Sequence, residues 1–109
     1  MLAALLLVLA GGAARADFRD GVAAFDRGAY EAALEAWRPL AEAGDAAAQR
    51  NLGHLYRHGW GVPADAEEAA AWYRRAHENG LARATVNLAL LHITGDGMPR
   101  DVAGGLNLL

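Results

Sequence analysis

Residues 48–80 read AQRNLGHLYRHGWGVPADAEEAAAWYRRAHENG, and the spacing inside this stretch decides the architecture. Ala48, Leu52, Leu55 and Tyr56 fall at i, i+4, i+7 and i+8, which is one face of an α-helix. Ala69, Trp72, Tyr73 and Ala76 draw the same stripe in the second half. The segment GWGVPAD between them reads as a turn. Gly59 suits a left-handed C-terminal cap. Asp65 suits an N-cap, with Glu68 three residues later at capping-box spacing. The unit is therefore a hairpin of two amphipathic helices.

The hairpin recurs. NLGHLYRHGWGVPAD at 51–65 and NLALLHITGDGMPRD at 87–101 align without a gap at an offset of 36, with seven identities in fifteen positions. A fixed period of this size is the mark of a repeat array. Upstream, Phe18 to Arg27 reads as a helix, Gly28-Ala29 as a shorter turn, and Tyr30 to Ala43 as a second helix with Ala33, Trp37 and Leu40 facing inward. Pro39 lies inside that helix and is expected to weaken or kink it, because it removes a backbone donor. Ala33, Ala48, Gly53, Ala69, Ala76 and Ala84 are small enough for helices to approach closely. Hairpins stacked this way bury a continuous core and form a curved solenoid. The expected fold is all-α, an α-solenoid of about two and a half to three antiparallel hairpins.

The stretch 48–80 closely resembles the Sel-1-like repeat, a relative of the tetratricopeptide repeat. The resemblance rests on Ala48-Gln49, Leu52-Gly53, Tyr56, Gly59-x-Gly61-Val62, Asp65, Ala69, Trp72-Tyr73 and Gly80. Residues 84–109 look like a weaker copy in which Ala89 replaces the glycine, His92 the tyrosine and Leu108-Leu109 the Trp-Tyr pair. Residues 18–44 look like a tetratricopeptide-like opening hairpin. The resulting division is 1–16 signal peptide, 17–44 opening hairpin, 45–80 complete repeat and 81–109 truncated repeat. The resemblance implies a right-handed solenoid serving as an adaptor in signalling, envelope or host-interaction processes, with enzyme activity uncommon. An exported branch linked to penicillin binding differs, since its paired cysteines are absent here.

Residues 1–10, MLAALLLVLA, are a short apolar run followed by Ala14-Arg15-Ala16, the small-x-small pattern of a signal-peptidase site. Ten apolar residues are too few to span a bilayer, which takes about twenty. Export to the periplasm or outside, with cleavage between Ala16 and Asp17, is the expectation, although no Arg or Lys precedes the apolar run. Loss of Arg15 with the leader takes the formal charge from −3 to −4. A mildly acidic chain without runs of like charge argues against a nucleic-acid partner. All 10 basic residues are Arg, and Ala and Gly abound, which suggests a GC-rich bacterial genome. The absence of cysteine removes disulfides and thiolate chemistry.

The sites follow the same register. Arg50, His54, Arg57 and His58 share one face of a helix and are the candidate partner-binding strip. Arg50 and Arg57 would offer forked donors to an acidic peptide or carboxylate. The competing account is an ordinary solvated face. His54 and His58 stand one turn apart, yet Leu55 occupies the zincin glutamate position and no third ligand is evident, so no metal site is expected. Gly59-Trp60-Gly61 and Gly95-Asp96-Gly97 do not continue into phosphate-loop patterns and read as turn chemistry. With no serine and only Thr85 and Thr94 as threonines, a serine-hydrolase triad cannot be built. No catalytic residue and no cofactor is expected. Moved by one period, the strip becomes Val86, Leu90, Ile93 and Thr94, an apolar face that with Leu106 and Leu109 calls for cover. The expectation is a longer array or a docked carboxyl end, with self-association as one form of it. The leading reading is thus an exported, non-catalytic protein- or peptide-binding adaptor. Its alternatives are a structural module of an envelope assembly and an enzyme acting on the cell wall.

Overall fold

The computed structural model describes residues 17–109; the leader expected over 1–16 lies outside the described residues. The described chain is six helices and no strand: α1 Phe18–Asp26, α2 Tyr30–Glu42, α3 Ala46–His58, α4 Ala66–Glu78, α5 Ala82–Thr94 and α6 Val102–Leu108. Each helix packs on the one before and the one after it, giving three hairpins stacked as a solenoid.

The ends of the helices show why they form where they do. Asp45, Asp65 and Asp101 cap α3, α4 and α6, each accepting a backbone N–H three residues on. The reciprocal capping box expected at Asp65 and Glu68 does not close, because the Asp65 N–H donates to the Tyr56 carbonyl at 2.8 Å. A full box occurs instead at Asp17 and Asp20, on α1. The α3 and α5 helices both end in left-handed glycines, Gly59 and Gly95. The α2 helix runs through Pro39, which lies exposed in its last turn.

The packing repeats with the sequence period. One cluster contains Ala33, Trp37, Leu52, Leu55 and Trp72. Shifted by one repeat, those positions are Ala69, Tyr73, Leu88, Leu91 and Leu108, which together build the second cluster. Neighbouring residues Trp72 and Tyr73 therefore face opposite ways along the stack. Trp72 closes the first core, Tyr73 founds the second, and α4 joins them.

Two glycines permit close approach, the first within the second hairpin and the other between hairpins. A Cβ on Gly53 would lie 2.5 Å from the Tyr73 ring, and one on Gly61 would lie 2.6 Å from the Glu31 nitrogen at the start of α2. Gly97, one period on, meets the start of α4 at Ala66 in the same way. Buried Gln49 adds a polar clasp between hairpins: its amide donates to the Ala41 carbonyl at 3.0 Å and accepts from Asn79 at 3.0 Å.

Candidate functional site

The α1, α3 and α5 helices are the first helices of their hairpins and form one layer of the stack. The predicted strip Arg50, His54, Arg57 and His58 lies on α3, the middle of the three. Its members do not behave alike. The Arg50 Nε donates to Asn87 Oδ1 of α5 at 2.8 Å. Arg57 pairs with Asp96, in the turn after α5, at 3.6 Å. Burial pulls the Arg50 guanidinium below its usual range, with the charge of Arg83 adding to the effect and Tyr73 opposing it. At neutral pH it stays charged. Its remaining N–H donors make no hydrogen bond to another described residue.

His54 departs from an ordinary solvated face. It is half-buried, and the Tyr73 hydroxyl lies 2.7 Å from its Nδ1. Burial, and then the charges of Arg50, His58 and Arg57, push its pKa down from 6.5 to about 4. The ring is thus neutral at pH 7. Burial raises the Tyr73 phenol, with Arg57 and Arg50 pulling it back, so Tyr73 keeps its proton at neutral pH. Only His58 of the two histidines is exposed, and its ring stacks on Trp60 with centroids 4.3 Å apart.

Between α1 and α3 opens a cavity of about 390 Å³. Val22 and Phe25 form its α1 wall, and Asn51, His54 and His58 its α3 wall. Trp37 lies beneath and Trp60 closes one end. Trp60 is held against the first hairpin by a stacked contact with Tyr30 (5.3 Å) and an edge contact with Phe25 (5.7 Å). Sequence reasoning missed this cleft, taking Gly59-Trp60-Gly61 for turn chemistry alone. The signal was Trp60 itself, a large apolar ring where the next repeat places Asp96.

The residues proposed as an apolar docking face are not all free. Val86, Leu90, Leu106 and Leu109 are 49%, 44%, 57% and 69% exposed. Ile93 is half-buried, because α6 approaches it so closely that a Cβ on Gly105 would lie 2.7 Å from its Cγ1. Among the described residues no group of three or more His, Asp or Glu side chains is placed to hold a metal.

Two stretches, residues 46–81 and 82–109, match the Sel1 repeat. The chain belongs to the Sel1 repeat family. Sel1 repeats are protein-binding modules. The chain is similar to a Sel1 repeat protein from Oxalobacter formigenes, with a TM-score of 0.79 and 31% identity over 84% of this chain and 37% of that one. It is also similar to a protective antigen of uropathogenic Escherichia coli that displays an SLR fold, with a TM-score of 0.77, 35% identity, and coverage of 81% and 20%. Among curated proteins of Arabidopsis thaliana, an F-box protein is 39% identical over 70 residues, 64% of this chain and 19% of the relative. The ERAD-associated E3 ubiquitin-protein ligase component HRD3A is 33% identical over 84 residues, 75% of this chain and 12% of the relative. The Sel1 chain described here thus spans a fifth or less of the curated relatives it matches.

Proposed function

We propose that this Sel1 repeat chain is an exported, non-catalytic adaptor that holds an acidic protein or peptide on the layer made by α1, α3 and α5. The observation that carries the reading is a local reversal of charge. The chain as a whole is acidic, at −3. Yet Arg50, Arg57 and Arg83 gather around α3, where Asp96 is the one carboxylate paired with them among the described residues. Opposite charge across an interface guides encounter and sets specificity, and forked guanidinium donors suit carboxylates.

Export is supported by residues 1–16 together with the position of α1. Its capping box begins on Asp17, so cleavage after Ala16 would leave α1 and its cap intact. The test of export is the mass and first residue of the protein recovered from the envelope fraction, expected to begin at Asp17. Binding is tested by capture from envelope extract with the full chain beside Arg50→Glu, Arg57→Glu. A partner lost with the double variant alone supports the adaptor; a partner kept by both moves the site off α3.

The exposure of Val86, Leu90, Leu106 and Leu109 favours a second reading, a structural module of a larger assembly. Sedimentation of the parent against Leu90→Glu, Leu106→Glu separates the two, because a structural oligomer dissociates in that variant and an adaptor is unaffected.

A further inference from the structure

The layer of first helices contains two clefts, and they are finished in opposite chemistry. The shorter opening turn brings Gly21 against Trp37 as Gly53 is brought against Tyr73, which equates Phe25 of α1 with Arg57 of α3. In the α3/α5 cleft Arg57 reaches Asp96 and Arg50 reaches Asn87. In the α1/α3 cleft the partners of the first contact are Phe25 and Trp60, meeting ring to ring at 5.7 Å. One contact is thus made twice, once with charge and once with aromatic rings. The polar version is bridged by a hydrogen bond and an ion pair. The aromatic version leaves an open cavity of about 390 Å³, and no hydrogen bond or ion pair joins α1 to α3 among the described residues.

Resting on the adaptor reading, we infer that this cleft takes a large apolar side chain of the bound partner, and that acidic residues beside it lie on the Arg50 and Arg57 side of α3. The partner segment is an acidic peptide with an aromatic or large aliphatic anchor. Size sets the first half of this assignment, since the cavity falls at the small end of the roughly 300–1,000 Å³ range of ligand sites. It admits one or two side chains, not a folded domain. Chemistry sets the second half. Val22, Phe25, Trp37 and Trp60 offer apolar surface, and His54 adds an uncharged ring to the facing wall. The neighbouring arginines select carboxylates. Central anchors in such pockets carry most of the affinity of peptide interfaces.

The test uses the full chain and three synthetic peptides: alternating Glu and Gly around one Phe, the same with Ala in place of Phe, and the same with Lys in place of Glu. Binding is read by calorimetry and by the NMR signals of the Trp60 indole and the His58 ring. The glutamate–phenylalanine peptide is expected to bind and to move both signals. Its alanine counterpart should bind about tenfold more weakly or worse, and the lysine peptide should not bind. Val22→Trp fills the mouth of the cleft from an exposed position on α1. It should reproduce the alanine loss at an unchanged melting temperature, with Val22→Glu as a second block if the first unfolds. No binding of the phenylalanine peptide overturns the inference. So does equal binding of the phenylalanine and alanine peptides with Trp60 and His58 unmoved. An envelope partner lost with Arg50→Glu, Arg57→Glu but kept by Val22→Trp also overturns the anchor while leaving the adaptor standing. Preference for the lysine peptide overturns both.

Discussion

Gly53→Ala is the substitution in which helix propensity and packing disagree most sharply. Alanine in mid-helix is worth about 1 kcal/mol over glycine, so α3 alone would gain. Against this, the added methyl would lie 2.5, 2.6 and 3.0 Å from three atoms of the Tyr73 ring, where carbon atoms prefer about 3.5–4.0 Å. The ring must retreat by about 1 Å. It has nowhere to go, being 0% exposed and tied through its hydroxyl to His54 at 2.7 Å. Overpacking of a core costs about 1–3 kcal/mol, and a rigid ring this close belongs at the upper end. The net expectation is a loss of about 2 kcal/mol, or a melting temperature lower by roughly 8–16 °C for a domain of this size. Calorimetry or urea unfolding reads it directly. A double-mutant cycle with Tyr73→Leu isolates the contact, since the cost of the methyl should shrink once the ring is gone. A Gly53→Ala chain as stable as its parent would refute the claim that Tyr73 sits on the α3 backbone.

Other expectations follow from the same packing. The Trp37 indole N–H donates to the Phe18 carbonyl at 3.1 Å, whereas the buried Trp72 N–H has no partner among the described residues. Trp37→Phe should therefore cost about 1 kcal/mol more than Trp72→Phe, while Trp72→Ala should cost roughly 3–5 kcal/mol; equal melting of the two Phe variants would contradict the pairing. The third expectation concerns pH. His54 protonates near 4 when folded and near 6.5 when unfolded, so between these values the unfolded chain binds more protons. The stability tied to this group is complete above pH 6.5 and falls as pH drops through 4. After discounting for partial exposure the loss is roughly 1–2 kcal/mol. His54→Gln should flatten the melting profile over that window, and an unchanged profile would show that the ring is not held neutral. Finally, Arg57→Leu should cost no more than about 1 kcal/mol, because its pairing with Asp96 is partly exposed; a larger loss in urea unfolding would mean that the bridge helps to lock α3 on α5.

The parts legible in the sequence are those that obey its period. Ala69, Tyr73, Leu88 and Leu91 are the positions of Ala33, Trp37, Leu52 and Leu55 one repeat later, so helix faces, turns and core could be read by offset alone. The state of His54 was not legible, because its partner Tyr73 comes from the other helix of the hairpin and helix periodicity does not say which side chains meet across that gap. The cleft escaped for a different reason. It depends on the register of α1, where the shorter turn breaks the period, and on Trp60 folding back onto Tyr30 and Phe25. The closure at Ile93 likewise required Gly105, whose close approach to α5 no spacing in the sequence announces.

The seating of Gly61 and Gly97 on the helix starts at Tyr30–Glu31 and Ala66 has a consequence for how such a chain can change over generations. At these two points main chain lies on main chain, with no side chain in between. The outward side chains of α1, α3 and α5 take no part in those two contacts. Mutation can therefore rewrite the face that meets partners, exchanging an arginine pair for an aromatic one as the two clefts already do, while the curvature of the array stays constant. Glycine holds the shape still so that everything around it is free to vary.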